Sequence, residues 1–190
     1  MITEQYGLVI DVRRCIGCRT CMLACKMINR LPEGVFRMKV YNLDGKISGD
    51  RAKRKGDKYE LSWQPVTCMH CASPSCLEVC PAKAITKDLK GIVSIDDNLC
   101  IGCGSCTDTC PYNVPSQMKE YEKADKCDLC KNRVYSGKPP MCVQCCPGRA
   151  ITFGVVSDNE GELSRLMKKG VKQIKPEAGT NPSVYYRNLK

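Results

Sequence analysis

The sequence has little of what a large apolar core or an acid–base active site requires. Aromatic residues make up 6% of the 190, with two Phe and one Trp. A core built on packed aromatics is excluded, and the length allows one domain or two small ones. Histidine occurs once, as His70. No nucleophile–base pair stands out near it or elsewhere, which speaks against a catalytic role for this chain. No run approaches the roughly eighteen apolar residues of a membrane-crossing helix. A direct membrane span is therefore not expected, and membrane contact would come through a partner. The opening Met1–Tyr6 is largely polar, and no long apolar stretch follows it, so no secretory signal peptide is read there. The expected location is cytoplasmic, or exported in complex with a signal-bearing partner.

Cysteine is what the chain has in excess: seventeen residues. Cys100, Cys103, Cys106 and Cys110 read C-x2-C-x2-C-x3-C, followed by Pro111. That is the run of bacterial two-cluster ferredoxins, whose fourth cysteine ligates the neighbouring cluster. One such run calls for a partner, and the sequence holds three. Cys15, Cys18, Cys21 and Cys25 repeat the spacing. Cys68, Cys71, Cys76 and Cys80 read C-x2-C-x4-C-x3-C before Pro81. Cys127, Cys130, Cys142 and Cys146 read C-x2-C-x11-C-x3-C before Pro147. A secreted, disulfide-stapled domain is opposed by the odd total and by the C-x-x-C clustering. Structural zinc also uses C-x2-C pairs, but it does not call for a recurring triplet with a fourth cysteine and proline.

The formal charge of +10 points at first sight to nucleic acid. An oxidised cubane with four thiolates carries about −2, so four of them bring the holoprotein to about +2. The lysines and arginines are then largely counter-charges to clusters, and no nucleic-acid partner is expected. One basic run remains, Arg51–Lys58. It reads as a solvated loop, with a docking surface for an acidic partner as the alternative.

Along the chain, Tyr6–Asp11 reads as a strand and Lys26–Arg30 as a short helix that stops before Pro32. Residues 32–61 hold no cysteine. They carry the turn signal Leu43–Asp44–Gly45 and a candidate hairpin strand, Val35–Tyr41. A hairpin is expected from a strand Cys80–Thr86 through Lys90–Gly91 to Ile92–Ile95. In the tail, Leu163, Leu166, Met167, Val171 and Ile174 share one helical face. Asp158 or Asn159 would cap that helix, and Lys168–Lys169 before Gly170 suit its end. An extended segment finishes at Val184–Tyr186.

An internal repeat organises these pieces. Cys146–Thr152 and Cys80–Thr86 both read C-P-x-[KR]-A-I-T, and the first and third runs share the opening Cys–Ile–Gly–Cys. The expected fold is α+β: two bacterial-ferredoxin-like modules, one inserted in the other, with short hairpins and a helical/extended C-terminal tail. Residues 1–31 plus 116–157 form the discontinuous module, 32–63 an insertion, 64–115 the inserted module and 158–190 a docking tail. Applying the ferredoxin crossover gives four ligand sets. Cys15, Cys18 and Cys21 take Cys146. Cys127, Cys130 and Cys142 take Cys25. Cys68, Cys71 and Cys76 take Cys110. Cys100, Cys103 and Cys106 take Cys80. Sequential pairing, first run with second and third with fourth, is the weaker alternative, since it leaves the repeat unexplained. Cys145 is left over as a small buried apolar residue.

These motifs, together with Pro65–Cys71, Cys110–Pro115, Lys126–Cys130, Pro140–Gln144, Phe153–Gly154 and Asn181–Tyr186, resemble a known family. It is that of the four-cluster electron-transfer subunits of dimethyl-sulfoxide-reductase-type molybdenum enzymes. The resemblance spans nearly the whole chain except residues 32–61, and it is specific for the family, not for a substrate. It implies four [4Fe–4S] clusters, a molybdopterin-containing catalytic large subunit as partner, and a quinone-linked membrane subunit or soluble carrier at the other end. Some relatives have Trp at the second position of the third run and hold three irons there. Cys103 at that position implies four. A free-standing polyferredoxin carrier is the alternative. His70, between two cysteines of one run, is read as packed or hydrogen-bonded near a cluster, or as tuning its potential by charge.

Overall fold

The strand Tyr6–Asp11 (β1) carries Leu8, Val9 and Ile10 in succession, all fully buried. A continuous apolar run suits a strand covered on both faces. In the computed structural model, which describes residues 4–42, 44–47 and 53–189, β1 is the centre of a three-stranded sheet. Behind it, Thr20–Ile28 (α1) starts inside the first cysteine run, after Arg19 in left-handed conformation (φ 59°). Cys21 and Cys25 lie one turn apart on its buried face. The expected helix Lys26–Arg30 is thus the end of an element that begins six residues earlier. The reason is local: Cys25 is followed by Lys26, where the other three runs have proline, so the helix continues.

Met38–Asn42 (β2) starts three residues after the expected Val35 and pairs antiparallel with Trp63–Thr67 (β5). Between them, Lys53–Lys55 (β3) and Lys58–Glu60 (β4) form their own hairpin. This hairpin holds most of the basic run; Arg51 and Ala52, like Leu43 of the turn signal, lie outside the described residues. The Asn42 side chain accepts the N–H groups of Asp44 and Lys46 and closes the turn there.

Ser75–Glu78 (α2) leads to the hairpin of Ile85–Lys87 (β6) and Val93–Ile95 (β7), whose turn is closed by Asp88 Oδ1 accepting from Lys90 and Ile92. Ser105–Asp108 (α3), the hairpin Ser116–Met118 (β8) and Lys123–Asp125 (β9), Lys131–Tyr135 (α4) and Met141–Gln144 (α5) follow. Ile151–Val155 (β10) then runs antiparallel to β1, with Ile10 opposite Ile151.

The tail helix, Glu162–Lys168 (α6), ends at the expected Lys168–Lys169 and starts later than a cap at Asp158 or Asn159 would place it. Gly170 turns the chain at φ +90°, leaving Val171 and Ile174 beyond it. Gly161 precedes the helix, and Asp158 instead accepts the Glu160 N–H in the turn before it. Val184–Arg187 (β11) pairs parallel with β1. Tyr186 there is fully buried and donates its hydroxyl to the Pro65 carbonyl at 2.9 Å.

The architecture is therefore ferredoxin-like α+β, with short helices and small sheets. Six cysteines are members of the buried core itself: Cys21, Cys25, Cys68, Cys106, Cys127 and Cys142. Around β6 and β7 the buried apolar cluster is only Ile85, Val93, Cys106 and Ala124. Thiols stand where a larger protein would place leucine and phenylalanine.

Candidate metal centres

The repeat seen in the sequence is a repeat of backbone shape. After Cys80, Cys110 and Cys146 comes Pro and then, two residues on, a left-handed residue: Lys83, Asn113 and Arg149, at φ 51°, 51° and 47°. Each returns its N–H to the carbonyl of that cysteine, at 3.1 Å in all three. This turn ends the preceding helix. Within the first and third runs, Gly17 and Gly102 sit at φ 69° and 65°. A Cβ at Gly17 would lie 2.3 Å from the Trp63 ring, and one at Gly102 2.2 Å from the Glu122 carbonyl oxygen. Both positions require glycine for conformation and for space.

Cys15, Cys18 and Cys21 line one cavity together with Cys146, among Ile16, Val40, Pro65 and Ile151. Cys100, Cys103 and Cys106 line a second with Cys80, among Ala82, Ile85, Ile95 and Ala124. Cys25 lies within electrostatic reach of Cys130 and Cys127, and Cys142 of Cys127, Cys130 and Cys25. Cys71 neighbours Cys68 and Cys110, and Cys76 neighbours all three. Cys145 is half-buried rather than buried; its thiol faces the Cys142 carbonyl and is close enough to be felt at Cys21, but it is not among the residues that line the Cys15 cavity.

The donor set fits thiolate-held clusters. Among the described residues no three Cys, His, Asp or Glu side chains converge as a single-ion chelate would. The thiols instead ring apolar cavities. Backbone N–H groups point at the sulfurs: Leu129 at Cys127 (3.3 Å), Ala124 at Cys100 (3.4 Å) and Ala150 at Cys146 (3.3 Å). Such donors favour an anionic sulfur and tune a cluster's potential. Burial pushes the Cys21, Cys25 and Cys76 thiols up to about 12, with neighbouring cysteines adding to the effect. Burial also raises Cys127 and Cys142 well above the ordinary thiol range. These sulfurs are neutral on their own and become thiolates when a metal supplies the compensating charge.

Thiols of different runs also come close to one another. Cys21 of the first is felt at Cys142, and Cys68 is felt at Cys127. The sets of Cys68 and Cys100 meet through α2, which carries Cys76 and stops just before Cys80. Only Cys18 and Cys103 are exposed, one in the first cysteine run and one in the third. Beside them Ile16 and Ile101 are 59% and 63% exposed, and Leu23 and Met27 stand out on the free face of α1.

Two cations missing from the spacing argument belong to the site. Arg37, from the cysteine-free insertion, forks onto Asp125 at 2.7 and 2.8 Å and reaches Asp128 at 3.2 Å. It also holds Asn29, which donates to the Cys25 carbonyl at 2.8 Å. Lys126 is buried, 3% exposed. A basic residue beside a cysteine run was the only available signal for it. His70 is fully buried, and its Nδ1 accepts the Val93 N–H at 3.1 Å. Burial, then Lys126 and Lys87, hold it well below its ordinary range. It is a neutral imidazole, which favours packing and hydrogen bonding over tuning by charge.

Comparison with known proteins returns the same chemistry. Two family models described as a 4Fe-4S dicluster domain match residues 59–156 and 14–84. The chain is 35% identical to a tetrathionate reductase subunit of Salmonella typhimurium, over 98% of this chain and 73% of that protein. It is 37% identical to protein NrfC of Escherichia coli, covering 95% and 79%. It is 38% identical to the "Probable anaerobic dimethyl sulfoxide reductase chain YnfG" of E. coli, covering 96% and 94%.

Proposed function

This chain belongs to the 4Fe-4S dicluster iron–sulfur subunits of dimethyl-sulfoxide-reductase-type complexes, and we propose that it relays electrons between a molybdopterin-bearing large subunit and a quinone-linked membrane protein or soluble carrier. It is an electron-transfer subunit, not a catalytic one, with four [4Fe–4S] clusters. Bound clusters supply one-electron carriers, and substrate chemistry belongs to the large subunit.

The ligands in this reading are Cys15, Cys18, Cys21 and Cys146; Cys25, Cys127, Cys130 and Cys142; Cys68, Cys71, Cys76 and Cys110; and Cys80, Cys100, Cys103 and Cys106. The modules are nested, 64–115 within 1–31 plus 116–157. Support comes from the pairing of β1 with β10 and from the β6–β7 hairpin lying between the second and third runs. The observation that carries the relay is the closeness of thiols from different runs, with an exposed cysteine only at Cys18 and Cys103, which this reading puts at the two ends of a row. A chain of carriers needs contact at its ends and shielding between them. Burial of Cys127, Cys142 and Cys68 gives the shielding. Exposed Ile16, Leu23 and Met27 at one end, and Ile101 at the other, favour fixed apolar partners over a free carrier.

Cys25→Ser tests the assignment. It should perturb the cluster of Cys127, Cys130 and Cys142 and leave that of Cys15, Cys18 and Cys21 intact by EPR. Loss of the Cys15 cluster instead would mean sequential ligation and would remove the relay order. Stoichiometric co-purification with a molybdopterin subunit tests the partner; a chain isolated alone from native extract would favour the polyferredoxin.

A further inference from the structure

Lys126 presents an unusual charge balance. Its ammonium donates to the Val93 carbonyl, to the Cys127 carbonyl at 3.4 Å and to Cys68 Sγ at 3.7 Å. Among the described residues it forms no salt bridge with a carboxylate. The two acids beside it in sequence, Asp125 and Asp128, are both turned onto Arg37. A buried ammonium costs several kcal/mol unless an anion compensates it. The sulfur within its reach is Cys68 Sγ, of one inner set; from the other inner set it touches the Cys127 carbonyl.

We propose that Lys126 is a fixed counter-cation at the junction of the two inner clusters and raises the potential of the one held by Cys68, Cys71, Cys76 and Cys110. The proposal rests on the ligand assignment above. Its physical basis is simple. When one electron passes to that set from the neighbouring one, one negative charge is gained there and one is lost next door. No proton moves, and the ammonium stays charged throughout. A positive charge against Cys68 therefore stabilises the reduced form of that set. The Val93 backbone holds the geometry from both sides: its carbonyl takes Lys126 and its N–H is given to His70 Nδ1. Lys126 is a positioning residue for charge, and no other lysine among the described residues is as deeply buried.

The test is a redox titration followed by EPR on the full chain with its clusters. The relevant signal is identified by its perturbation in Cys110→Ser. Lys126→Met should keep the wild-type iron content. At the wild-type midpoint potential, its ratio of reduced to oxidised cluster should fall at least about tenfold, about 59 mV for a one-electron couple. Lys126→Arg should restore most of the shift. If Lys126→Met does not retain its clusters, Lys126→Gln decides: the same fall supports the proposal, and an unchanged potential overturns it. An unchanged potential in Lys126→Met, or an equal fall in all four clusters, also overturns it. If Cys110→Ser and Cys76→Ser, each with Lys126 in place, perturb different clusters, the ligand assignment beneath the proposal falls instead.

Discussion

Replacing Arg37 by methionine isolates what the cysteine-free insertion contributes. The guanidinium makes three hydrogen bonds of 2.7, 2.8 and 3.1 Å to Asp125, plus contacts of 3.2 Å to Asp128 and 3.0 Å to Asn29. The Asp125 side chain is 8% exposed and that of Arg37 16%. Removing one partner of a buried pair costs about 3–5 kcal/mol, because the other charge stays buried and uncompensated. Residual exposure of Arg37 puts the expected loss at the lower end, about 3 kcal/mol. With a urea dependence of about 2 kcal/mol per M, the midpoint for loss of cluster absorbance should fall by about 1.5 M. The loss should begin at one set. Asn29, freed from Arg37, no longer fixes the Cys25 carbonyl, so the cluster of Cys25, Cys127, Cys130 and Cys142 should go first by EPR. Arg37→Met combined with Asp125→Leu should recover most of the midpoint, since the charge left without Arg37 is Asp128, whose side chain is 34% exposed. A fall of less than about 0.5 M, or first loss at the set of Cys100, would refute the reasoning.

The remaining predictions are independent of that pair. Anaerobically purified protein should contain about sixteen irons and sixteen acid-labile sulfides; about four irons, or zinc in their place, would contradict four clusters. Cys145→Ala should keep the full iron content and Cys146→Ala should lose a cluster's worth, by iron analysis; the reverse would shift the register of the fourth run by one residue. Tyr186 is raised above its ordinary range by burial, so its contribution is present below about pH 10, the unfolded value, and is lost as pH rises toward the folded one. Urea midpoints should therefore fall from about pH 10 upward in the wild type and fall less steeply in Tyr186→Phe; parallel curves would mean that Tyr186 does not titrate with unfolding. Gly102→Ala should destabilise the third run by about 1 kcal/mol or more, from φ strain and contact with Glu122, read as faster iron loss to a chelator.

Some of this molecule is written plainly in the chain. Tyr6–Asp11 and the 85–95 hairpin were legible because an apolar run and a Lys–Gly turn each have one physical reading. α1 was misplaced because the helix begins within a metal-binding run, where spacing speaks of thiols and hides an i, i+4 pair. β5 was not read at all: Pro65 lies in its middle, and proline argues against strand unless the strand is at an edge, as here. The end of α6 was legible from Lys168–Lys169 before Gly170, but its start was set too early, because Asp158 closes the preceding turn and Gly161 precedes the helix. Arg37 and Lys126 were beyond sequence reasoning. Among thirty basic residues, nothing in the spacing says which two the fold buries.

The parallel pairing of β11 with β1 has a consequence for the order of events during synthesis. Residues leave the ribosome from the N-terminus, so β1 and β10 are available long before β11. Until Val184–Arg187 arrives, one edge of the central strand stays open. The residues just before it do more than fill that edge: Asn181 and Thr180 accept the N–H groups of Ala72 and Ser73, and Ser183 donates to the Met69 carbonyl. Thr180 also meets the Tyr112 hydroxyl at 2.6 Å and faces Cys71. The last strand is thus a latch over the loop that carries Cys71. Docking of β11 therefore closes the open edge of β1 and covers the loop of Cys71 in a single event.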